Sequence, residues 1–137
     1  IGDDDPPLSD VKALAPHLLV GVTARKPQTA LRAQEDGADY VACGSLFGSQ
    51  TKPGVTVIGL RTLQQVVTAV QLRVVGIGGV TLENCHSVLE AGAQGFCSIN
   101  PFNARLPIRN LVQDFQRRAA HGDQRGQTSF HETVDTL

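Results

Sequence analysis

What this chain lacks narrows what it does. Its three cysteines, Cys43, Cys85 and Cys97, are odd in number, far apart and without a C-x-x-C pair. They predict neither a disulfide frame nor a zinc site, and read as reduced structural thiols. Neither sign of charge dominates: 12 basic residues face 13 acidic ones, and the pI near 6.4 leaves no electrostatic footprint for nucleic acid or an anionic membrane. No apolar run approaches the roughly 18 residues that cross a bilayer, and no signal-peptide pattern opens the chain, so a soluble protein is expected. The four histidines (His17, His86, His121 and His131) share no ligand spacing and read as surface residues. Two nucleotide signatures are missing as well. The dinucleotide fingerprint that Gly76-Ile77-Gly78 begins needs a glycine where Thr81 stands, and there is no G-x-x-x-x-G-K-[ST] run.

What is present is a regular alternation. The 137 residues, 41% hydrophobic, suffice for one ordinary domain with a core. Short apolar runs at Leu18–Thr23, Tyr40–Gly44, Val74–Ile77 and Gly95–Ile99 predict strands, apolar on both sides as helices covering both faces of a parallel sheet require. Between and after them, helical periodicity predicts helices over Pro27–Asp36, Gly59–Val70, Thr81–Ala91 with Thr81 as its cap, and Ile108 to about Ala119. The segments EDGADY and EAGAQG repeat the order helix end, Gly, Ala, strand, 55 positions apart from Gly37 to Gly92. Two units of about 31 residues in an eight-unit barrel come close to that interval. The fold class is therefore α/β with parallel strands. Failure of the dinucleotide fingerprint weighs against a doubly wound sheet, and about four to five strand-helix units are too few to close eight strands, so part of a barrel is expected. Residues 119–137 are polar and aperiodic, and are expected to form a flexible tail or linker. The chain opens on Ile1 rather than Met, which suggests a processed product or a fragment.

Three places could carry chemistry, all after strands, where ligands gather in such folds. Gly78 and Gly79 follow the third strand: they form a tight turn, or they leave amides bare beside a helix start where an anion binds. The loop GSLFGSQTKPG, residues 44–54, sets Lys52 among the hydroxyls of Ser45, Ser49 and Thr51. This is either a solvated surface lysine or a clamp for a leaving pyrophosphate, whose several charges need stabilisation as a bond breaks. The acidic run Asp3-Asp4-Asp5 either caps the first helix, in competition with Ser9 and Asp10, or supplies the one or two carboxylates that magnesium takes alongside phosphate oxygens.

Taken in order, Gly2-Asp3-Asp4-Asp5, Gly21-Val22-Thr23, Gly37-Ala38-Asp39-Tyr40-Val41, Phe47-Gly48-Ser49-Gln50-Thr51-Lys52 and Gly76-Ile77-Gly78-Gly79-Val80 resemble the thiamine phosphate synthase family over about residues 1–118. The resemblance implies a (βα)8 TIM barrel, of which this is the carboxyl-terminal half. It implies a transferase that joins a pyrimidinylmethyl diphosphate to a thiazole phosphate and releases pyrophosphate, with Mg2+ assisting departure and a pyrimidine-stabilised carbocation captured by the thiazole nitrogen. Carried over by position, Asp5 is the metal ligand, while Thr23 and Lys52 are catalytic and act on the diphosphate. Ser49, Thr51, Gly78, Gly79, Ile99 and Asn100 bind substrate, Gly79 and Asn100 through backbone amides on the thiazole phosphate. Partners are then small phosphorylated molecules rather than nucleic acid or membrane, with fusion to another thiamine-biosynthesis domain and a homo-oligomer both compatible. The compartment is the cytoplasm, or a plastid for a plant-type parent.

The departures are specific. Thr23 replaces the usual serine, Gly48 stands where proline is common, and Cys97-Ser98-Ile99-Asn100-Pro101 replaces Val-Val-Ser-Ala-Ile. The Gln-Leu-Arg and Asn-Asp segments of the family's first half have no counterpart, so the chain as written is expected to be an incomplete enzyme. Two alternatives stay open. One is a non-catalytic remnant that keeps its phosphate grip. The other is the related thiazole tautomerase, disfavoured because no histidine follows Thr23 and Thr51-Lys52 is present.

Overall fold

The computed structural model describes residues 1–48, 54–103 and 107–121. Its elements run α1 (Leu8–Leu14), β1 (Gly21–Ala24), α2 (Pro27–Glu35), β2 (Tyr40–Cys43), α3 (Gly59–Ala69), β3 (Arg73–Ile77), α4 (Cys85–Glu90), β4 (Gly95–Cys97), a 3-10 turn at Asn100–Asn103 and α5 (Ile108–His121). All strand pairs are parallel and the spatial order is the chain order, β1-β2-β3-β4. A doubly wound sheet reverses direction at a switch point; four strands laid side by side in sequence form an arc of a barrel.

Register separates the two faces of this arc, because neighbouring strands align side chains that alternate along each strand. Ala24, Cys43 and Gly76 form one row, with Val41 and Val74 two positions back. Ala24, Val41, Cys43 and Val74 are wholly buried, and a Cβ on Gly76 would lie 2.3 Å from Val88 of α4. This is the helix-covered face. The alternate rows, Gly21-Tyr40-Arg73 and Thr23-Ala42-Val75, are half-buried or exposed. The helices α2 to α5 pack side by side in a single layer. The expectation of helices on both faces is thus corrected. The strands are apolar on both sides because one side meets helices and the other is the kind of surface that lines a barrel.

Each helix offers that layer a short apolar stripe. Pro27 opens α2 at a position where its missing N–H costs nothing, and Ala30 and Ala33 bury its inner side. Leu63 and Val66 do so for α3, Cys85 and Val88 for α4, and Leu111 and Phe115 for α5. Phe115 also meets the rings of Phe96 and Phe102, with centroids 5.4 and 5.7 Å away. Burial of a side chain of this size contributes about 1.5–3 kcal/mol. The predicted first strand is shorter than its apolar run: Leu18 and Leu19 are 50% and 81% exposed, and the ladder opens at Gly21, where β2 supplies a partner. Of the cysteines, Cys43 and Cys85 are buried, and burial pushes the Cys43 thiol up to about 11 and raises Cys85 as well. Cys97 is exposed, which corrects its reading as a structural thiol.

At the amino-terminal end of the sheet the echo seen in the sequence has a three-dimensional counterpart. Gly37 and Gly92 both take positive φ, 88° and 96°, a helix ending that glycine adopts without a Cβ penalty. Beyond them Ala38 and Ala93 are buried. The Asp39 N–H then donates to the Val20 carbonyl while the Val20 N–H donates to Asp39 Oδ2 at 2.6 Å. Likewise the Gln94 N–H donates to the Val74 carbonyl, and the Val74 N–H to Gln94 Oε1 at 2.7 Å. Lys12 joins the first clasp through an ion pair with Asp39 at 2.5 Å.

Candidate functional site

The carboxyl-terminal end gathers the residues singled out in the sequence. Thr23 is the penultimate residue of β1, on the uncovered face in the row of Ala42 and Val75. Beside it, the Thr23 N–H donates to the Ile1 carbonyl at 2.8 Å, so the segment Gly2–Asp5 turns away at the same end of the sheet. Within that turn the Gly2 N–H donates to Asp5 Oδ2 at 2.7 Å, and Asp3 pairs with Arg25, just past β1, at 2.7 Å. Asp5 therefore closes its own turn, next in the chain to the residue that pairs with β1 at Thr23. Among the described residues no group of three acidic, histidine or cysteine side chains forms a metal site. Asp5 is nonetheless a hard oxygen donor of the kind that magnesium uses singly or in pairs with phosphate oxygens.

Gly78 and Gly79 occupy the turn after β3 with φ of 94° and 67°, a conformation that favours glycine. Close packing is a second reason for glycine here. A Cβ on Gly78 would lie 2.3 Å from Ser45 Oγ, and one on Gly79 2.5 Å from the Gly48 carbonyl. The turn is thus tight, and its bare side meets the segment 45–48 of the β2-α3 loop. The carbonyls here are all occupied. Ile77 O accepts from the Leu46 N–H at 2.9 Å and Gly78 O from the Phe47 N–H at 3.0 Å. Gly79 O accepts from Asn84 Nδ2 at 3.0 Å, and Val80 O from Ser98 Oγ at 2.6 Å. Among the described residues, the N–H groups of Gly78 and Gly79 donate no hydrogen bond.

The expected helix at Thr81 does not start there. It begins at Cys85, with Asn84 as the preceding residue and only six residues of helix. The reason is local: Asn84 Oδ1 takes the Thr81 N–H at 2.8 Å and the Thr81 hydroxyl takes the Glu83 N–H at 3.3 Å, so Thr81 caps a turn that passes into the helix through the bond from Cys85 N–H to Thr81 O at 3.0 Å. The same hydroxyl, bonded to the Glu83 carboxylate, holds that carboxyl below its usual range. What the site offers an anion is therefore loop amides rather than a helix end.

Ile99 and Asn100 follow β4 at the same end, both exposed, with Asn100 opening the 3-10 turn. The Ser98 hydroxyl on Val80 O ties this segment to the glycine turn. Ser49, Thr51 and Lys52 lie outside the described residues, but Gly48, immediately before them in sequence, abuts Gly79. The structure thus brings Thr23, Asp5, Gly78, Gly79, Ile99 and Asn100 to one end of the sheet. Sequence reasoning missed the roles of Asn84 and Ser98, whose side chains hold the carbonyls of Gly79 and Val80. The one signal available was the spacing of Asn84, three residues after Thr81. An open groove of about 580 Å³ along Arg61, Gln64, Gln65 and Thr68 lies on the outer side of α3 and holds no such convergence.

A thiamine phosphate synthase from Pyrococcus horikoshii is 36% identical over 117 residues, covering 85% of this chain and 56% of its own length. One from Methanosarcina mazei is 38% identical, covering 84% and 49%. The chain thus spans about half the length of the curated relatives it matches. Among solved structures, a thiamine phosphate pyrophosphorylase from Pyrococcus furiosus superposes with a TM-score of 0.78 at 31% identity, over 88% of this chain and 57% of that one. A mandelate oxidase, at 19% identity and a TM-score of 0.64, shares the fold alone. The family model for thiamine monophosphate synthase matches residues 1–102, and the chain belongs to that family.

Proposed function

We propose that the polypeptide carrying this chain makes thiamine phosphate by condensing 4-amino-2-methyl-5-pyrimidinylmethyl diphosphate with thiazole phosphate and releasing pyrophosphate. The observation that carries the reading is the meeting, at the carboxyl ends of β1, β3 and β4, of residues that match the family by position: Thr23, Gly78, Gly79, Ile99 and Asn100. In this reading the Gly79 amide and the Asn100 backbone hold the thiazole phosphate, and the hydroxyls of Ser49 and Thr51 approach the same group. Thr23 donates its hydroxyl to the diphosphate, and the Lys52 ammonium stabilises the charge that collects on the departing pyrophosphate. Asp5 would hold Mg2+, which supplies further positive charge to that leaving group. The pair Thr51-Lys52 favours a synthase over a tautomerase.

Thiamine phosphate formation by the full-length polypeptide tests the reading. Lys52→Ala should lower turnover by about 10²–10³-fold, the usual loss of one preorganised charge-stabilising group. It should leave the thermal midpoint in place. Undiminished turnover in that variant would remove Lys52 from the mechanism, and no turnover in the parent would leave a phosphate-binding protein.

A further inference from the structure

A peptide unit is planar and trans, so its carbonyl and its N–H point in opposite directions. Fixing one carbonyl therefore fixes where the next residue's N–H points. In the glycine turn this happens three times in succession: Leu46 holds the carbonyl before Gly78, Phe47 the one before Gly79, and Asn84 the one before Val80. Two of these holders are backbone amides of the neighbouring loop. The third is a side chain, and it alone can be changed by substitution without altering the main chain.

The bonds of Asn84 divide into two kinds. Its Oδ1 reaches back three residues to accept from the Thr81 N–H, as the return bond of a capping box does. Its Nδ2 donates to Gly79 O, and a helix start has no use for that bond, since what is orphaned there is donors rather than acceptors. The second bond serves the loop. It turns the Gly79 carbonyl toward Asn84 and so keeps an acceptor from rotating to where an anion is to be held.

We propose that Asn84 is a positioning residue for the phosphate grip, its carboxamide clamping the Gly79–Val80 peptide so that the turn presents donors and no carbonyl to a phosphate monoester. The inference rests on the reading of Gly78 and Gly79 as that grip. It adds a role for a side chain that does not touch the substrate.

The test is titration of the full chain with inorganic phosphate, followed by 15N amide shifts. In the unaltered protein the largest shifts should fall on Gly78, Gly79 and Val80. Asn84→Ala should weaken phosphate binding roughly tenfold, the scale of one net hydrogen bond. Gln94→Ala, which removes the comparable side-chain bond to Val74 at the opposite end of the sheet, should lower the thermal midpoint similarly while leaving phosphate affinity unchanged. Equal affinity in Asn84→Ala and the parent overturns the positioning role, and so does an equal loss in both variants, which would reduce Asn84 to general stability. Absence of phosphate binding in the parent overturns the grip itself, and the two failures are distinguishable. If Asn84→Ala does not fold, the parent decides alone: shifts concentrated away from residues 78–80 would refute the proposal.

Discussion

The two ends of the sheet are built on opposite rules. At the amino-terminal end one device appears twice, at Asp39 with Val20 and at Gln94 with Val74, and each clasp satisfies a donor and an acceptor on both sides. At the carboxyl-terminal end nothing repeats. The glycine turn, the acidic turn and the 3-10 turn differ, and at residues 78 and 79 the carbonyls are occupied while the N–H groups are unspent among the described residues. At one end donors and acceptors close on each other; at the other, the carbonyls alone are spent among the described residues. This is the division between stability face and active face that barrels show in general.

The contrast can be broken most forcefully at Phe115, which joins the two rules by packing on Phe96 of β4 and stacking on Phe102 of the carboxyl-end turn. Phe115→Ala should cost about 3–5 kcal/mol in denaturant unfolding, and phosphate affinity should fall with it. Preserved affinity would show that the site is independent of α5. Next in size is Gly79→Ala. Positive φ and a Cβ placed 2.5 Å from the Gly48 carbonyl should cost about 1–3 kcal/mol and abolish phosphate shifts at that turn; a wild-type unfolding midpoint would mean that the turn relaxes freely.

The smallest effect belongs to the amino-terminal end. The hydrogen bond from Lys12, and then that from Val20, holds the Asp39 carboxyl below its usual range. A depressed folded value means that its contribution is complete above the unfolded value near about 3.9 and fades as pH falls through the folded one. Unfolding followed from pH 6 downward should show this loss below about pH 4, and Asp39→Asn should flatten it. The same slope in both proteins would deny the clasp its electrostatic part.

Much of the fold was legible. Apolar runs bounded by glycine placed every strand to within a few residues, and the Gly-Ala echo anticipated a repeated turn whose geometry is indeed shared. One-sided helix cover was not legible, because a surface that lines a barrel and a surface under helices are both apolar, and hydrophobic period cannot distinguish them. At the site, Gly78 and Gly79 were visible as glycines, but the reason for them was not. Their backbone touches residues 45–48, about thirty positions earlier. Asn84 passed for an ordinary helix-start residue because its decisive bond runs backward to Gly79.

The row Gly21-Tyr40-Arg73 carries a practical consequence. The ring of Tyr40 lies so close over Gly21 that a Cβ there would fall 2.1 Å from it. The chain has this one tyrosine and no tryptophan, so fluorescence excited beyond the phenylalanine absorption band comes from a single chromophore on the uncovered face. Anything that seats itself on that face will report its arrival as a change in the light from one ring.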